Sequence, residues 1–475
     1  MTITLQNNSF TLIAGGDGVL RSDNPDGTFG TMAYLNSESN PVDAIWASSL
    51  VTDGDGTGTS VDPYSLRGAV YAAEKGKQVL LKDDGIYTIT NPFRIRWDFG
   101  DKTQNTWTST DITMPSGDNP RLVEMLMETP TIESERIVIR GEQGTQPTID
   151  CEEQVFCFND GKPFVTWQAM KFINSGATVI VGTEGSFDSK YVYFDLLDIT
   201  MTVSGSGSNV GGIMVNERAG DYGQITRVLV NGPGTVGSGE GANTGTVFLR
   251  RVNHYTIDGF TGHNAALGLY FKHPNDASLA DGGTPTLLFK NMYFYNCDRD
   301  NGMNLSANGA TIENCVLIGG FIGNTGGLGE NSVTGGNDNT FDHITFTGSF
   351  LSYDNDTEGL SPPTASNGNA LIDCILPQYN IWTGSNALTN TSTSNYTLYA
   401  NDIEYKDVAF TLSAWQSGST PASQDVNSLS GSPTFLVTPV DGEASTYELD
   451  PSSLGYGTGS SSSNMGADVT TVGAI

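Results

Sequence analysis

A nine-residue pattern recurs along this chain and limits the folds that the chain can adopt. Its clearest copies are WQAMKFINS from Trp167, FKNMYFYNC from Phe289 and FDHITFTGS from Phe341. Looser copies start at positions 134, 194, 225, 252, 312, 371 and 400, which places successive copies about 30 residues apart. A repeat of this length is typical of one coil in a solenoid.

The pattern also indicates the secondary structure of each coil. The fourth and sixth positions of a copy are apolar and the fifth is variable, as at Met170 and Phe172. This is the period of a strand with one buried face. The copies end near Asn, Gly or Asp, which tolerate tight bends. Because no helical pattern separates the copies, we predict an all-β fold, a right-handed parallel β-helix of about ten or more coils.

A short capping helix is expected before the first coils. The segment SLRGAVYAAEKGK places Leu66, Ala69, Val70 and Ala73 on one helix face. A helix over the open end of the first coil protects an exposed strand edge. The predicted regions are an attachment or cap segment (1–50), the capping helix with first strands and a loop excursion (51–133), the β-helix (134–410) and a closing segment (411–475).

Charge and hydropathy exclude two classes of partner. Acidic residues outnumber basic ones by 53 to 22, giving a net charge of −31, which argues against nucleic acid. Membrane insertion is not expected, because no apolar run approaches about 18 residues. The first residues, MTITLQNNSF, lack the basic region and apolar core of a secretion signal. We therefore expect the surface of a virion as the location, with an extracellular or cell-surface location as the alternative.

The five cysteines do not form a disulfide framework or a metal motif. Cys297, Cys315 and Cys374 lie in the triplets YNC, ENC and IDC of three copies of the repeat, while Cys151 and Cys157 follow the first copy. Positions of this kind favour small side chains. We predict buried free thiols.

Two stretches outside the repeat carry a family resemblance. The segment from Trp46 to Ile89, WASSLVTDGDGTGTSVDPYSLRGAVYAAEKGKQVLLKDDGIYTI, resembles the start of pectate-lyase-like right-handed β-helix proteins. Near the other end, SPTFL, YELDPSSLGYG and MGAD resemble their closing segment. The resemblance spans roughly 45–470 and implies the fold and a polysaccharide partner. It does not select one activity, because the fold hosts lyases, hydrolases, epimerases, viral tailspikes and adhesins.

A second strand in several coils brings chemistry-bearing residues together. It reads GIMVNER from Gly212, GTVFLRR from Gly245, GLYFKHP from Gly268 and GMNLSAN from Gly302. If its apolar residues point inward, one outward column contains Met214, Phe248, Tyr270 and Asn304, and the next contains Asn216, Arg250, Lys272 and Ser306. Stacked strands lie about 4.8 Å apart, so Arg250 and Lys272 are expected to be neighbours.

These residues suit cleavage of an acidic glycan. Repulsion between neighbouring cations favours a neutral lysine, which suits a base, and Arg can hold a carboxylate while Lys removes a proton beside it. His273 follows Lys272 as a further catalytic candidate. Phe248 and Tyr270 offer ring faces to a sugar. Asn216 and Asn304 complete the predicted substrate-binding set.

The family resemblance adds a metal to this prediction. Lyases of this fold imply a calcium ion held by acidic groups, for which Glu217 is the candidate ligand, with Asn216 supplying a further oxygen. Only one acidic ligand is well placed. Ca²⁺ is the one cofactor that the resemblance implies.

A hydrolase needs paired carboxylates instead. Asp298 and Asp300 alternate on one segment, and the loop SYDNDTEG offers Asp354, Asp356 and Glu358. Turn chemistry explains the same acidic residues without catalysis, just as solvated surface side chains explain Arg250 and Lys272. These alternatives stay open at the level of sequence.

Three classes of function remain. The first is a tailspike-like virion component that binds host surface glycan, with depolymerisation left open, acting as a homotrimer beside virion tail or capsid proteins. The second is a free polysaccharide lyase acting on a uronate-containing glycan. The third is a non-catalytic structural or adhesive rod. If the protein is an enzyme, the predicted residues favour a lyase over a hydrolase.

Overall fold

The computed structural model describes part of the 475-residue chain. The described residues are 2–5, 8–12, 19–22, 33–34, 39–51, 56–88, 129–151, 163–175, 190–202, 210–216, 221–234, 244–250, 252–272, 284–297, 302–305, 307–318, 320–323, 338–347, 349–352, 369–376, 378–380, 393–401, 403–405, 408–417 and 425–473. They fall into two compact units, residues 1–233 and 234–474. The four regions expected from the sequence remain predictions.

Unit 1 (residues 1–233) contains a parallel β-solenoid. One series of parallel strands runs β5–β6–β8–β10–β11–β13, and a second runs β7–β9–β10, while β1–β4 form a separate antiparallel sheet. The strands are β1 (Thr2–Leu5), β2 (Asn8–Leu12), β3 (Val19–Ser22), β4 (Ala33–Tyr34), β5 (Ile45–Ser48), β6 (Gln78–Lys82), β7 (Ile86–Thr88), β8 (Ile137–Gly141), β9 (Thr148–Asp150), β10 (Val165–Ser175), β11 (Tyr193–Met201), β12 (Val210–Asn216) and β13 (Gly223–Asn231).

The predicted capping helix is present in unit 1 as α1 (Leu66–Tyr71). Its N-cap is Ser65, whose hydroxyl accepts a hydrogen bond from the Gly68 N–H at 3.1 Å. The predicted apolar face is buried, with Ala69 and Val70 fully inaccessible to solvent. A short 3-10 helix follows at Glu133–Glu135.

Unit 2 (residues 234–474) contains a parallel solenoid with two series of strands. The first runs β15–β17–β19–β21 and continues through β23–β26 and β24–β27–β30; the second runs β14–β16–β18–β20–β22–β25–β28 and ends on the antiparallel β29. The strands are β14 (Thr244–Arg250), β15 (His254–Ala265), β16 (Leu267–Lys272), β17 (Thr286–Cys297), β18 (Met303–Leu305), β19 (Ala310–Leu317), β20 (Gly320–Gly323), β21 (Thr340–Phe346), β22 (Ser349–Ser352), β23 (Ala370–Ile372), β24 (Ile375–Leu376), β25 (Gln378–Asn380), β26 (Thr393–Asn395), β27 (Leu398–Tyr399), β28 (Ile403–Tyr405), β29 (Val408–Phe410) and β30 (Leu429–Ser430).

Unit 2 also holds the remaining helical turns of the described chain. These are α2 (Leu412–Ser417) and 3-10 turns at Ala444–Tyr447 and Ser460–Ser462. The predicted all-β parallel β-helix is therefore confirmed as a parallel β-solenoid with very little helix. The predicted number of coils was wrong, because about ten or more coils were expected and the solenoid has about six turns.

The third position of the repeat is a sharp bend, which the sequence pattern did not predict. In unit 1 it falls on Ala169, Leu196 and Arg227, with φ of 54°, 54° and 52°. Each of these residues therefore lies in the left-handed region, which is costly for residues other than glycine and asparagine. The bend turns the chain between two strand segments of one coil, so positions one and two belong to one face and positions four to six to the next.

Three of the ten predicted copies were out of register with this bend. Ile139 pairs with Trp167, and Ile257 pairs with Phe289, so those residues occupy the first position rather than the starts at 134 and 252. Ser394 pairs with Leu371 and takes the place of the start at 400. Apolar alternation alone does not fix the register of a strand that is interrupted by a bend.

The core lies inside each solenoid and is built from the apolar positions of the repeat. Trp167, Met170 and Phe172 are fully buried in unit 1. In unit 2, Cys315 and Cys374 are also fully buried free thiols, and burial raises the pKa of the Cys315 thiol to about 12. Cys151 is likewise buried and free, whereas Cys297 is half-buried and Cys157 lies outside the described residues.

Candidate functional site

The predicted second strand of unit 2 forms in the predicted register. In the pairing of β14 with β16, Phe248 lies beside Tyr270 and Arg250 beside Lys272. Asn304 of β18 follows Tyr270 in the same column. The predicted inward residues of these strands are all fully buried: Val247, Leu249, Leu269, Phe271, Met303 and Leu305.

The predicted aromatic binding surface was wrong in one respect. Phe248 and Tyr270 are 1% and 3% exposed, and their rings pack edge to face with centroids 5.3 Å apart. They present no open ring face to a sugar. Alternation of apolar residues shows which side of a strand a residue occupies, but it does not show whether that side is covered.

Most of the remaining predicted site residues are not described beyond the backbone. Arg250 is half-buried, while the side chains of Lys272, Asn216 and Asn304 lie outside the described residues. The same holds for the whole of Glu217 and His273, and for the acidic residues at 298, 300, 354, 356 and 358. Their catalytic, substrate-binding and calcium roles stay predictions.

A more fully described polar surface lies on the outer side of β10, β11 and β13 in unit 1. Trp167, Phe194 and Ile225 point inward, so the residues on either side of them point outward. The pairing of the strands arranges the outward residues in two columns, Thr166–Tyr193–Gln224 and Gln168–Asp195–Thr226.

Three aromatic rings stack at the positions three residues before the inward Trp167, Phe194 and Ile225. Phe164 and Tyr191 have centroids 4.5 Å apart and planes 8° from parallel, and Tyr191 and Tyr222 are 4.9 Å and 10° apart. All three residues have φ between 56° and 63°, so the same left-handed turn precedes each strand. Tyr222 is the most exposed of them, at 37%. We call this aromatic stack and the two columns beside it the Tyr193 face.

Arg136 anchors one side of the Tyr193 face. Its guanidinium lies 3.7 Å from the centroid of the Tyr193 ring and donates two hydrogen bonds of 2.6 Å to the Glu133 carboxylate. It also donates to the Tyr191 carbonyl at 2.8 Å and to the Thr166 hydroxyl at 3.2 Å. This one arginine therefore fixes the ring of Tyr193 and the turn that carries Tyr191.

Asp195 is the centre of a second polar network on this face. Arg227, placed by its bend, donates to both carboxylate oxygens of Asp195 at 2.9 and 2.7 Å. The Gln168 amide donates to one of the same oxygens at 3.1 Å. The Asp195 and Arg227 side chains are 16% and 22% exposed, so this planar network is both ordered and accessible at the surface.

A buried ion pair lies just across the bend. The Lys171 ammonium is 3.4 Å from the Asp198 carboxylate, whose side chain is only 3% exposed. Burial raises the pKa of Asp198, and the charge of Lys171 acts in the opposite direction. The Gln168–Asp195 hydrogen bond and the Lys171–Asp198 ion pair thus form two neighbouring polar layers, one on each side of the bend.

A further polar cluster occupies the bend of unit 2. The His343 Nδ1 lies 2.7 Å from Asp342 Oδ1, and its Nε2 lies 3.6 Å from Asp373 Oδ2. The hydrogen bond with Asp342 is the main cause that raises the pKa of His343. The ligand atoms of these three residues lie within 4.8 Å of one another, a spacing that a cation could bridge.

The C-terminal strap, residues 458–473, covers this cluster. Asp373 is fully buried and accepts hydrogen bonds from the Ser460 N–H at 2.6 Å and from the Ser460 hydroxyl. Asn314 accepts from the Asp468 N–H at 2.5 Å, and the Asn291 carbonyl accepts from Gly473 at 2.8 Å. Because the carboxylate of Asp373 already has these donors, the cluster is explained as an attachment point for the strap.

Sequence reasoning missed the Tyr193 face because its residues fall on variable positions of the repeat. The second position is Gln168, Asp195 and Thr226 in three successive copies, and these residues share no chemical type. One signal was available. Phe164, Tyr191 and Tyr222 lie three residues before the first repeat position in each of the same copies.

Comparison with known proteins gives remote structural similarity. No protein-family model and no curated protein sequence matches the chain. Pectate lyase Pel9A is similar at 12% identity and a TM-score of 0.40, covering 91% of this chain and 97% of that one. The PL6 family alginate lyase AlyGC is similar at 11% identity and 0.42, covering 86% and 57%, and XylC in complex with xylose at 9% and 0.46, covering 83% and 87%. These similarities are too remote to support an argument, and the fold is established by the strand pairing described above.

In the described part of the chain, no helix has the length and apolar character needed to cross a membrane.

Proposed function

We propose that this protein engages polysaccharide through the Tyr193 face. The observation that carries the proposal is the combination of aromatic rings with an ordered, partly exposed Asp–Arg–Gln network on one side of parallel strands. Sugars combine apolar C–H faces with hydroxyl groups, so they pack on aromatic surfaces and hydrogen-bond to planar polar side chains. Tyr222, Tyr193 and Asp195 supply both kinds of contact within adjacent columns.

The biological setting that we propose is a tailspike-like virion component that binds host surface glycan as a homotrimer. A net charge of −31 keeps a protein with a long apolar core soluble. Three copies would raise avidity for a repetitive glycan without any new contact. Light scattering coupled to size exclusion tests the trimer, and a stable monomer counts against it.

The binding test removes one aromatic ring at a time from the Tyr193 face. Tyr193→Ala and Tyr222→Asn are each expected to weaken glycan affinity about tenfold, or about 1.4 kcal/mol, because each removes a ring from the face. Asn is chosen at 222 because it tolerates the φ of 63° there. Affinity electrophoresis and calorimetry against a glycan panel provide the measurement.

Tyr456→Ala is the matched control for this test. Tyr456 is 43% exposed, close to the 37% of Tyr222, but lies in the closing segment of unit 2. It is expected to bind glycan as the wild type does. Equal affinities for wild type, Tyr193→Ala and Tyr222→Asn would sink the assignment of the site.

A free uronate lyase is the second candidate function. The pairing of Arg250 with Lys272 in adjacent strands favours it, since two cations at this spacing can hold a carboxylate and lower the pKa of a lysine base. Wild-type protein would then release unsaturated ends from an acidic glycan, detected by ultraviolet absorbance. Lys272→Ala should abolish this release, and an undiminished rate would remove the lyase candidate. If the lyase candidate is removed, the binding proposal still stands, and so does the third class of function, a non-catalytic rod.

A further inference from the structure

Several charged groups on and beside the Tyr193 face occur in one-to-one pairs. Four basic side chains each contact a different carboxylate within unit 1. The pairs are Lys75–Glu135 at 3.2 Å, Arg136–Glu133 at 2.6 Å, Lys171–Asp198 at 3.4 Å and Arg227–Asp195 at 2.7 Å. The charges of these eight residues therefore cancel locally.

Arg136 and Arg227 each bind their carboxylate through two nitrogens. Arg136 uses Nε and one terminal nitrogen on Glu133, and Arg227 uses the same two kinds of nitrogen on Asp195. This bidentate arrangement is the one by which an arginine would hold a uronate or other carboxylate ligand. An acidic sugar would have to displace a protein carboxylate from either arginine, which exchanges one such pair for another and yields little net affinity.

The rest of the chain opposes an anionic ligand. Its net charge is −31, so the approach of a polyanion is unfavourable unless a local excess of positive charge offsets the repulsion. The four pairs provide no such excess. Neutral sugars incur no repulsion of this kind.

The aromatic rings of the Tyr193 face also favour an uncharged ligand. The rings of Phe164, Tyr191 and Tyr222 repeat at 4.5 and 4.9 Å, the spacing of adjacent coils, and Tyr193 lies in the next column. Packing on rings rewards the apolar faces of a sugar and is independent of its charge. Most of the affinity should therefore come from contacts that salt does not screen.

We infer that the Tyr193 face takes uncharged glycan, and that acidic polysaccharides are not its ligands. This inference rests on the proposed function, because it specifies the class of glycan bound at the same face. The expectation of a uronate-containing glycan came from Arg250 and Lys272, which belong to unit 2.

The test uses full-length protein and oligosaccharides of equal length. Neutral probes are oligomers of glucose, mannose and xylose, and acidic probes are oligomers of galacturonate and mannuronate. At least one neutral oligomer is expected to bind about tenfold or more tightly than either acidic one. Its Kd should change less than about twofold between low salt and 0.5 M NaCl, because screening acts on charges.

A charge variant supplies the matched comparison. Glu133 is 63% exposed, and Glu133→Gln leaves the Arg136 charge without its carboxylate, so this variant is expected to gain affinity for the acidic oligomers. Glu448→Gln changes the net charge equally but lies at an exposed position in unit 2, and it should gain none. Neutral binding should be unchanged in Glu448→Gln.

The outcomes separate the inference from the proposed function. Binding of acidic oligomers in preference to neutral ones, lost in Tyr193→Ala, would overturn the neutral class while keeping the face as a glycan site. Failure of every oligomer to bind would overturn the proposed function itself. Neutral binding that Tyr193→Ala leaves intact would overturn both statements for this face.

Discussion

Asp373→Ala is expected to lower the free energy of unfolding by about 3–5 kcal/mol, the usual cost of removing one partner from a buried charged network. The carboxylate of Asp373 is fully buried and is the acceptor for two donors of Ser460. Its loss leaves those donors without their acceptor and removes the carboxylate oxygen that lies 3.6 Å from His343 Nε2. The C-terminal strap should then become the first segment cut in limited proteolysis, and denaturant unfolding gives the free energy.

Asp373→Asn is the control for this prediction. Asn keeps one acceptor oxygen and tolerates the φ of 53° at this bend, so it should lose less stability than Ala. An unfolding midpoint for Asp373→Ala equal to that of wild type would contradict the role of the carboxylate in holding the strap.

His343 adds a pH dependence to the same network. Its pKa is raised above 6.5 by the hydrogen bond with Asp342, and Asp373 and Glu313 act in the same direction against burial. A raised pKa means that the folded state binds the proton more tightly, so the stabilisation is complete below about pH 6.5 and is lost as the pH rises through the folded-state pKa. His343→Gln should remove this part of the pH dependence.

Arg136→Ala has the second largest expected effect, a loss of about 2–4 kcal/mol together with weaker glycan binding. The Arg136 side chain is only 10% exposed, and it donates to the Tyr191 carbonyl and the Thr166 hydroxyl while stacking on Tyr193. Removal leaves these acceptors unpaired and frees the Tyr193 ring. Thermal unfolding and glycan titration measure the two losses.

Two further variants identify which property of Arg136 matters. Arg136→Lys keeps the charge but not the planar fork, so an intermediate stability is expected. Glu133→Gln removes an acceptor that is 63% exposed and should cost less than about 1 kcal/mol. If Arg136→Lys were as stable as wild type, the several directed hydrogen bonds would not be the source of the stability.

The fold was accessible from the sequence because it depends on a repeated apolar pattern. Met170 and Phe172 mark buried positions that recur in most copies, and parallel stacking follows from the repeat length. The register of Arg250 beside Lys272 was predicted for the same reason, and the helix Leu66–Tyr71 was predicted from the helical spacing of its apolar residues.

The candidate site was less accessible because it depends on residues that do not repeat. Arg227 of β13 contacts Asp195 of the adjacent strand β11. Its position is set by a left-handed bend that the apolar pattern does not predict. Burial of Phe248 and Tyr270 was equally hidden, since it depends on what covers the outer side of a strand. Contacts between variable positions of neighbouring coils require the three-dimensional register.

The central claim is that glycan binds on the Tyr193 face, and footprinting by hydroxyl radicals locates it directly. Protein saturated with a neutral oligosaccharide should show reduced oxidation of Tyr193 and Tyr222, with Tyr456 oxidised at the rate found without ligand. Protection confined to residues 244–272, the strands of Arg250 and Lys272, with no change at Tyr193 and Tyr222, would contradict the account.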